Sequence, residues 1–157
     1  MAVLGLSTNT RLLGLAVISE GILVDYKMQF TKNAWSPEKA TKILAGLEPC
    51  ISEYSITKVV LSMPHVHHQT DAFRYLVRRI QTLCKKKNIP FITEPPEAFY
   101  PLFAPGVKNT KKNLMQALSL DFPQLAKCQH KELRNKRKYY IKLFEAVAVA
   151  TLHDVLD

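Results

Sequence analysis

Hydrophobic positions come in two rhythms along this chain. Residues 2–6 and 12–19 are nearly continuous apolar runs, and the polar stretch Ser7-Thr8-Asn9-Thr10-Arg11 between them reads as a hairpin turn. Glu20-Gly21 makes a second tight turn. Residues 22–30 then alternate in part, with Ile22, Val24, Tyr26, Met28 and Phe30 on one side of a third strand. Three consecutive antiparallel strands are predicted.

The rhythm then changes to helical spacing. Ser36-Pro37-Glu38-Lys39 is a helix start, with Ser as N-cap and Pro in the first turn, where its missing N–H does no harm. Ala40, Ile43, Leu44, Leu47 and Ile51 follow on one face, and Pro49 is expected to stop or kink the pattern. Residues 56–61 form a β-branched strand ended by Met63-Pro64. A second amphipathic helix over residues 70–87 turns Phe73, Leu76, Val77, Ile80, Leu83 and Cys84 inward, and residues 89–93 are the next strand. A helical crossover between two strands makes them parallel.

Pro90, Pro95, Pro96, Pro101 and Pro105 limit regular structure in the middle of the chain to a short helix over residues 96–100 and a loop through Gly106. Thr110 can cap a helix packed through Leu114, Ala117 and Leu118, and Pro123 can start another helical segment. The segment 138–156 is rich in small and apolar residues, from Ile141 through Ala146, Ala148 and Ala150 to Leu152, and suits a helix lying close on a sheet. The whole reads as an α/β fold: a mixed five-stranded sheet, order 3-2-1-4-5, flanked by helices, in one domain spanning 1–157.

Composition narrows the partners. The chain has 157 residues, 47% hydrophobic, enough for a core without cross-links. Its 22 Lys and Arg against 13 Asp and Glu give a net charge of +9, which points toward nucleic acid or another acidic partner. Three cysteines, at positions 50, 84 and 128, offer neither metal-ligand spacing nor a disulfide framework, so a reduced, cytoplasmic setting is expected. Polar residues interrupt the apolar N-terminus before a signal segment or membrane span can form.

The succession of motifs resembles the ribonuclease H-like fold and, more narrowly, the RuvC-like Holliday junction resolvase family. Residues 3–18 look like that family's first hairpin, 36–57 its first covering helix, and 68–92 its second helix and fifth strand. Glu94-Pro95-Pro96-Glu97-Ala98 resembles its proline turn, residues 106–112 its basic glycine-containing segment, and Phe144 to His153 its alanine-rich terminal helix. The resemblance implies a site of four carboxylates, or three with a histidine, holding two divalent metals that activate water and stabilise the leaving oxygen of a phosphodiester. Here the four positions fall on Ser7, Ser62, Lys142 and Glu145, and Glu145 alone keeps an acid. An altered Mg or Mn site would have to recruit displaced acids such as Asp25, Asp71, Glu94, Glu97 or Asp154.

Three readings of function follow. The first is a nucleic-acid-binding protein that prefers branched or distorted DNA, is a homodimer like the family, and lacks efficient family-type cleavage. The second is a metal-dependent structure-selective endonuclease retaining Glu145, and the third is a noncatalytic module that meets an acidic protein. Candidate phosphate contacts are Lys127, Lys131, Arg134, Arg137 and Lys138 around a helical stripe, with Lys136 and Lys142 adding to its charge; Lys108, Lys111 and Lys112; Arg74, Arg78 and Arg79 with residues 85–87; and Arg11 with the hydroxyls of the first turn. The main stripe can instead be a solvated helix face. Tyr139 and Tyr140 can stack on bases or anchor the last helix. His65, His67 and Asp71 could converge on a transition metal, or His65-Val66-His67-His68 can be a polar loop. Zinc-finger, dinucleotide, Ser-His-Asp and protein-kinase signatures are absent from the sequence.

Overall fold

The computed structural model describes residues 1–30, 35–103, 110–134 and 139–156. Five strands, β1 (Ala2–Thr8), β2 (Leu12–Ser19), β3 (Ile22–Phe30), β4 (Ile56–Ser62) and β5 (Phe91–Glu94), form one sheet in the order β3-β2-β1-β4-β5. β1 to β3 are antiparallel, and β4 and β5 run parallel to β1. This is the mixed sheet that the hairpins and crossovers predict, and it matches the ribonuclease H-like architecture that the resemblance implies. Among the described residues six α-helices accompany it: α1 (Pro37–Glu53), α2 (Asp71–Lys86), α3 (Pro96–Phe103), α4 (Lys111–Asp121), α5 (Ala126–Arg134) and α6 (Ile141–Leu156).

Side-chain alternation in β1 divides the core. Ala2, Leu4 and Leu6 face α1 and α2, whereas Val3 joins Val60, Phe99, Leu114, Phe144 and Val147 on the face covered by α3 to α6. The inward residues of α2 are the six that the helical spacing picks out. α6 lies almost on the sheet backbone. A Cβ at Gly5 would come 2.1 Å from the Ala146 carbonyl oxygen, and one at Gly14 would come 2.2 Å from that of Lys142. These two glycines therefore set how deeply the last helix sits, and with it the depth of every functional side chain it carries.

Several boundaries differ from expectation for local reasons. The hairpin turn is shorter than predicted, because Ser7 and Thr8 still pair with Gly14 and Leu13. Glu20 and Gly21 both adopt positive φ, 51° and 78°, the geometry of a two-residue hairpin loop. In β3 the simple alternation fails: the pairing skips Val24 between Ile18↔Leu23 and Val17↔Asp25, so Leu23 is buried while Ile22 and Val24 are exposed. Pro49 does not end α1. It and Ala45, whose carbonyl loses its usual donor, line an open cleft between α1 and α2, while Leu47 and Ile51 hold the helix to the sheet. β5 begins late because the Ile89 N–H still bonds the Cys84 carbonyl, Asn88 takes φ 57°, and Pro90 offers only a carbonyl, used by the Val59 N–H. α3 continues beyond Tyr100 to Phe103. The predicted loop through Gly106 and the start of the last helix at Lys138 fall outside the described residues.

Candidate functional site: a neutralised carboxylate cluster

Three sequence-matched positions meet around the fourth. Ser7, the penultimate residue of β1, lies one residue beyond the Leu6↔Leu61 pair, so Ser62 of β4 stands beside it, and by alternation with Val3 and Val60 both face α6. Both serines are buried. From the first turns of α6, Glu145 reaches back to this strand end with 6% of its surface exposed. Its Oε1 accepts from Ser7 Oγ at 3.3 Å and from Lys142 Nζ at 3.2 Å, and its Oε2 accepts from Tyr100 Oη at 3.2 Å. Both carboxylate oxygens are thus occupied by protein donors.

Tyr100 comes from α3, where Phe99 and Tyr100 are the buried residues. Burial first, then the Glu145 charge and the hydrogen bond to it, push the Tyr100 phenol far above its ordinary range, so it stays a donor. Tyr100 belongs to no motif in the sequence. Its only trace was the 97/100 spacing, which places Glu97 and Tyr100 on one side of a short helix. Pro96, Glu97, Tyr100, Lys111 and Glu145 line an open cleft of about 350 Å³. Lys111, one of the expected phosphate contacts, is therefore brought to the retained acid.

The donor set does not fit two divalent cations. A metal at Glu145 would have to displace an ammonium and compete with neutral hydroxyls that replace anionic oxygen ligands. Of the five displaced acids, Glu97 alone shares the Glu145 cleft. Asp25 accepts from Tyr54 Oη at 3.0 Å, Asp71 pairs with Arg74 at 3.0 Å, Asp154 accepts from the Gly21 N–H at 2.8 Å, and Glu94 meets His153 Nε2 at 2.9 Å. Among the described residues no group of three or more His, Cys, Asp or Glu is placed to hold a metal. The suggested His65, His67 and Asp71 site is accordingly not formed. His65 and His67 stack at 4.7 Å around a short 3-10 turn, Val66–His68, which is the polar-loop reading.

The basic candidates divide between the two helical layers. Lys111 and Lys112 open α4, and Lys127, Lys131 and Arg134 are exposed at helical spacing along α5, on the layer that carries the cleft. Arg74, Arg78 and Arg79 lie on α2, across the sheet. Arg79 is held by Tyr75, donating to its hydroxyl at 2.9 Å, and Arg74 by Asp71. Arg11 is exposed at the β1–β2 turn. Lys108, Arg137 and Lys138 lie outside the described residues.

The chain's entry into α6 is fixed by a buried acid in the middle of the basic run. Glu132 of α5 accepts from the N–H groups of Tyr139, Tyr140 and Ile141 at 2.7, 3.0 and 2.8 Å. It satisfies donors that a helix N-terminus otherwise leaves open, and its charge opposes the helix dipole favourably. Tyr139 packs edge-on against Phe30 and Tyr140, and Tyr140 joins the core, which is the anchoring role.

No protein-family model matches the chain, and no curated protein matches it by sequence. Solved structures do. Thermus thermophilus RuvC in complex with Holliday junction substrate superposes with a TM-score of 0.74 at 14% identity, over 98% of this chain and 92% of that one. The Thermus thermophilus RuvC structure gives 0.73 at 16% identity, over 98% and 93%. The yeast mitochondrial Holliday junction resolvase gives 0.61 at 14% identity, over 95% and 75%. This chain is similar to them in fold across nearly its whole length. Among the described residues, no helix is long and apolar enough to cross a membrane.

Proposed function

We propose that this protein binds branched or otherwise distorted DNA, as a homodimer and in the cytoplasm, without metal-dependent phosphodiester cleavage. The observation that carries the reading is the ion pair between Lys142 and Glu145, 3.2 Å apart at the strand end where a RuvC-like site needs clustered negative charge. A lysine there cancels the charge of the one remaining acid. It disfavours divalent cations and removes the negative charge that would repel an anionic backbone.

The exposed cations support the binding half. Lys111 at the cleft, Lys112 beside it and Lys127, Lys131 and Arg134 on α5 offer phosphate contacts on the layer that holds Glu145. The fold likeness adds that the solved relatives include one in complex with Holliday junction substrate. Binding measured over a salt series with duplex, single-stranded and four-way DNA tests the proposal. Preference for the four-way substrate with steep salt dependence is expected, and equal absence of binding to all three at low salt rejects it.

A second reading rests on Glu97. Its carboxylate shares the cleft with Glu145, so a one-metal nuclease with these two acids is the alternative. Mn²⁺-dependent cleavage lost on substitution of either acid would favour it.

A further inference from the structure

Lys39 is the third residue of α1, and its side chain is buried, with 7% exposure. Its Nζ has no hydrogen-bond partner among the described residues. An unpartnered buried ammonium is costly, and chains retain one where something outside the fold completes it.

The cavity that this side chain borders points to that something. Lys39 lines a cavity of about 160 Å³ between the β1–β2 turn, the end of β3 and the first two turns of α1. Its polar lining is Thr8, Thr10, Arg11, Gln29, Lys39 and Lys42, and the rest is the apolar wall of Leu12, Leu13, Phe30 and Ile43. Among the described residues, its lining includes three basic side chains, Arg11, Lys39 and Lys42, and no carboxylate. Glu38, the acid of the helix's first turn, is exposed and does not line it. The α1 N-terminus adds its positive dipole end, and the Ser36 side chain does not cap it. Low-dielectric walls on one side strengthen attraction for an anion inside.

We propose that this cavity is a phosphate-binding site, with Lys39 as the buried anchor, Arg11 and Lys42 as the outer cations and Thr10 as a hydroxyl donor. Thr8 shapes the cavity; its hydroxyl already donates to the Leu12 carbonyl at 2.8 Å. Because successive strand residues face opposite ways, Thr8 turns to this cavity while Ser7 turns to Glu145. The site thus flanks the strand end on the side away from the neutralised cluster. It deepens the nucleic-acid reading and rests on that reading only for the source of its phosphate, either a backbone phosphodiester or a terminal phosphate monoester.

The test is calorimetric titration of the full chain with inorganic phosphate at constant ionic strength, chloride replacing phosphate in the control. Saturable binding is expected, weakened at least tenfold by Lys39→Met. The phosphate-free thermal midpoint of Lys39→Met should equal or exceed the parent's, because the apolar stem remains and an unpaired charge is gone. Arg11→Ala with Lys42→Ala, both changes on exposed side chains, supplies a second variant that should lose phosphate affinity while keeping the fold. Absence of saturable phosphate binding in the parent, or binding in both variants equal to the parent's, overturns the site. Short duplexes with and without a 5′ phosphate then separate the sources: a gain confined to the phosphorylated duplex assigns a strand end, and equal Lys39-dependent binding assigns an internal phosphodiester. Four-way DNA binding without any phosphate site would sink this inference and leave the proposed function standing. Lys39-dependent phosphate binding without DNA binding would do the reverse.

Discussion

Lys142 Nζ donates to Glu145 Oε1 across 3.2 Å, one helical turn apart, and the pair seals a carboxylate that is otherwise buried against Ser7 and Tyr100. Lysine in the first turn of a helix opposes the helix dipole, so its place here depends on the acid that answers it. Lys142→Met should leave Glu145 charged with two neutral donors. A loss of about 1–3 kcal/mol is expected, discounted for the part of Lys142 that remains exposed, and Lys142→Met with Glu145→Gln should recover most of it. Urea denaturation of the two variants and the parent measures this.

The same geometry predicts what would restore a metal site. Ser7→Asp, Ser62→Glu and Lys142→Asp together with Glu145 would present four carboxylates at one strand end. Excess Mn²⁺ should raise the stability of that variant, by about 2.7 kcal/mol at a hundred times its dissociation constant, and should leave the parent unchanged. Differential scanning fluorimetry with Mn²⁺ and with chelator reads the difference.

Gly5 and Gly14 set the seat of α6, so adding one methyl group at either should be severe. A Cβ would lie 2.1 Å or 2.2 Å from helix carbonyl oxygens, and neither backbone can yield without lifting Glu145 from Ser7. Gly5→Ala or Gly14→Ala should cost about 3 kcal/mol or more. Gly46→Ala is the control: in α1 its Cβ would meet Gln29 Nε2 at an ordinary 3.7 Å, and a gain of about 0.5–1 kcal/mol is expected. Chemical denaturation ranks all three.

Glu132 holds three N–H groups at the entry to α6. Glu132→Ala should cost about 2–4 kcal/mol and open the first turn of α6, since three donors lose their acceptor inside the protein. Amide hydrogen exchange at Tyr139, Tyr140 and Ile141 should accelerate more than at Val147 or Val149.

Most of the fold was legible because its signals are local. The apolar runs of β1 and β2, the β-branched β4 and the spacing of Phe73, Leu76, Val77 and Ile80 each dictate an element on their own. The bulge at Val24 and the passage of α1 through Pro49 were not legible, since cross-strand register and packing against the sheet decide them. The site was half visible. Ser7, Ser62, Lys142 and Glu145 could be matched position by position, but Tyr100 and Lys39 enter through tertiary contact alone, and Glu132 looked like one acid in a basic run.

Burial lifts the Cys84 thiol from 9.0 to about 11, so folding keeps it protonated where the unfolded chain would ionise it. Its contribution is complete below pH 9 and is lost as pH rises toward 11, the range in which the unfolded state binds fewer protons than the folded one. Stability measured from pH 8.5 to 11 should therefore fall, and Cys84→Ala should flatten that slope after its own cavity cost is subtracted.

One paired assay tests binding and the absence of metal-dependent cleavage together. Purified protein is incubated with four-way DNA in Mg²⁺, in Mn²⁺ and in chelator, with binding and strand scission read from the same samples. Salt-sensitive binding equal in all three is expected, with no scission above the protein-free control, because Lys142 and Tyr100 occupy the oxygens of Glu145. Scission that requires metal and disappears on Glu145→Gln, in a variant shown to fold, would contradict this expectation.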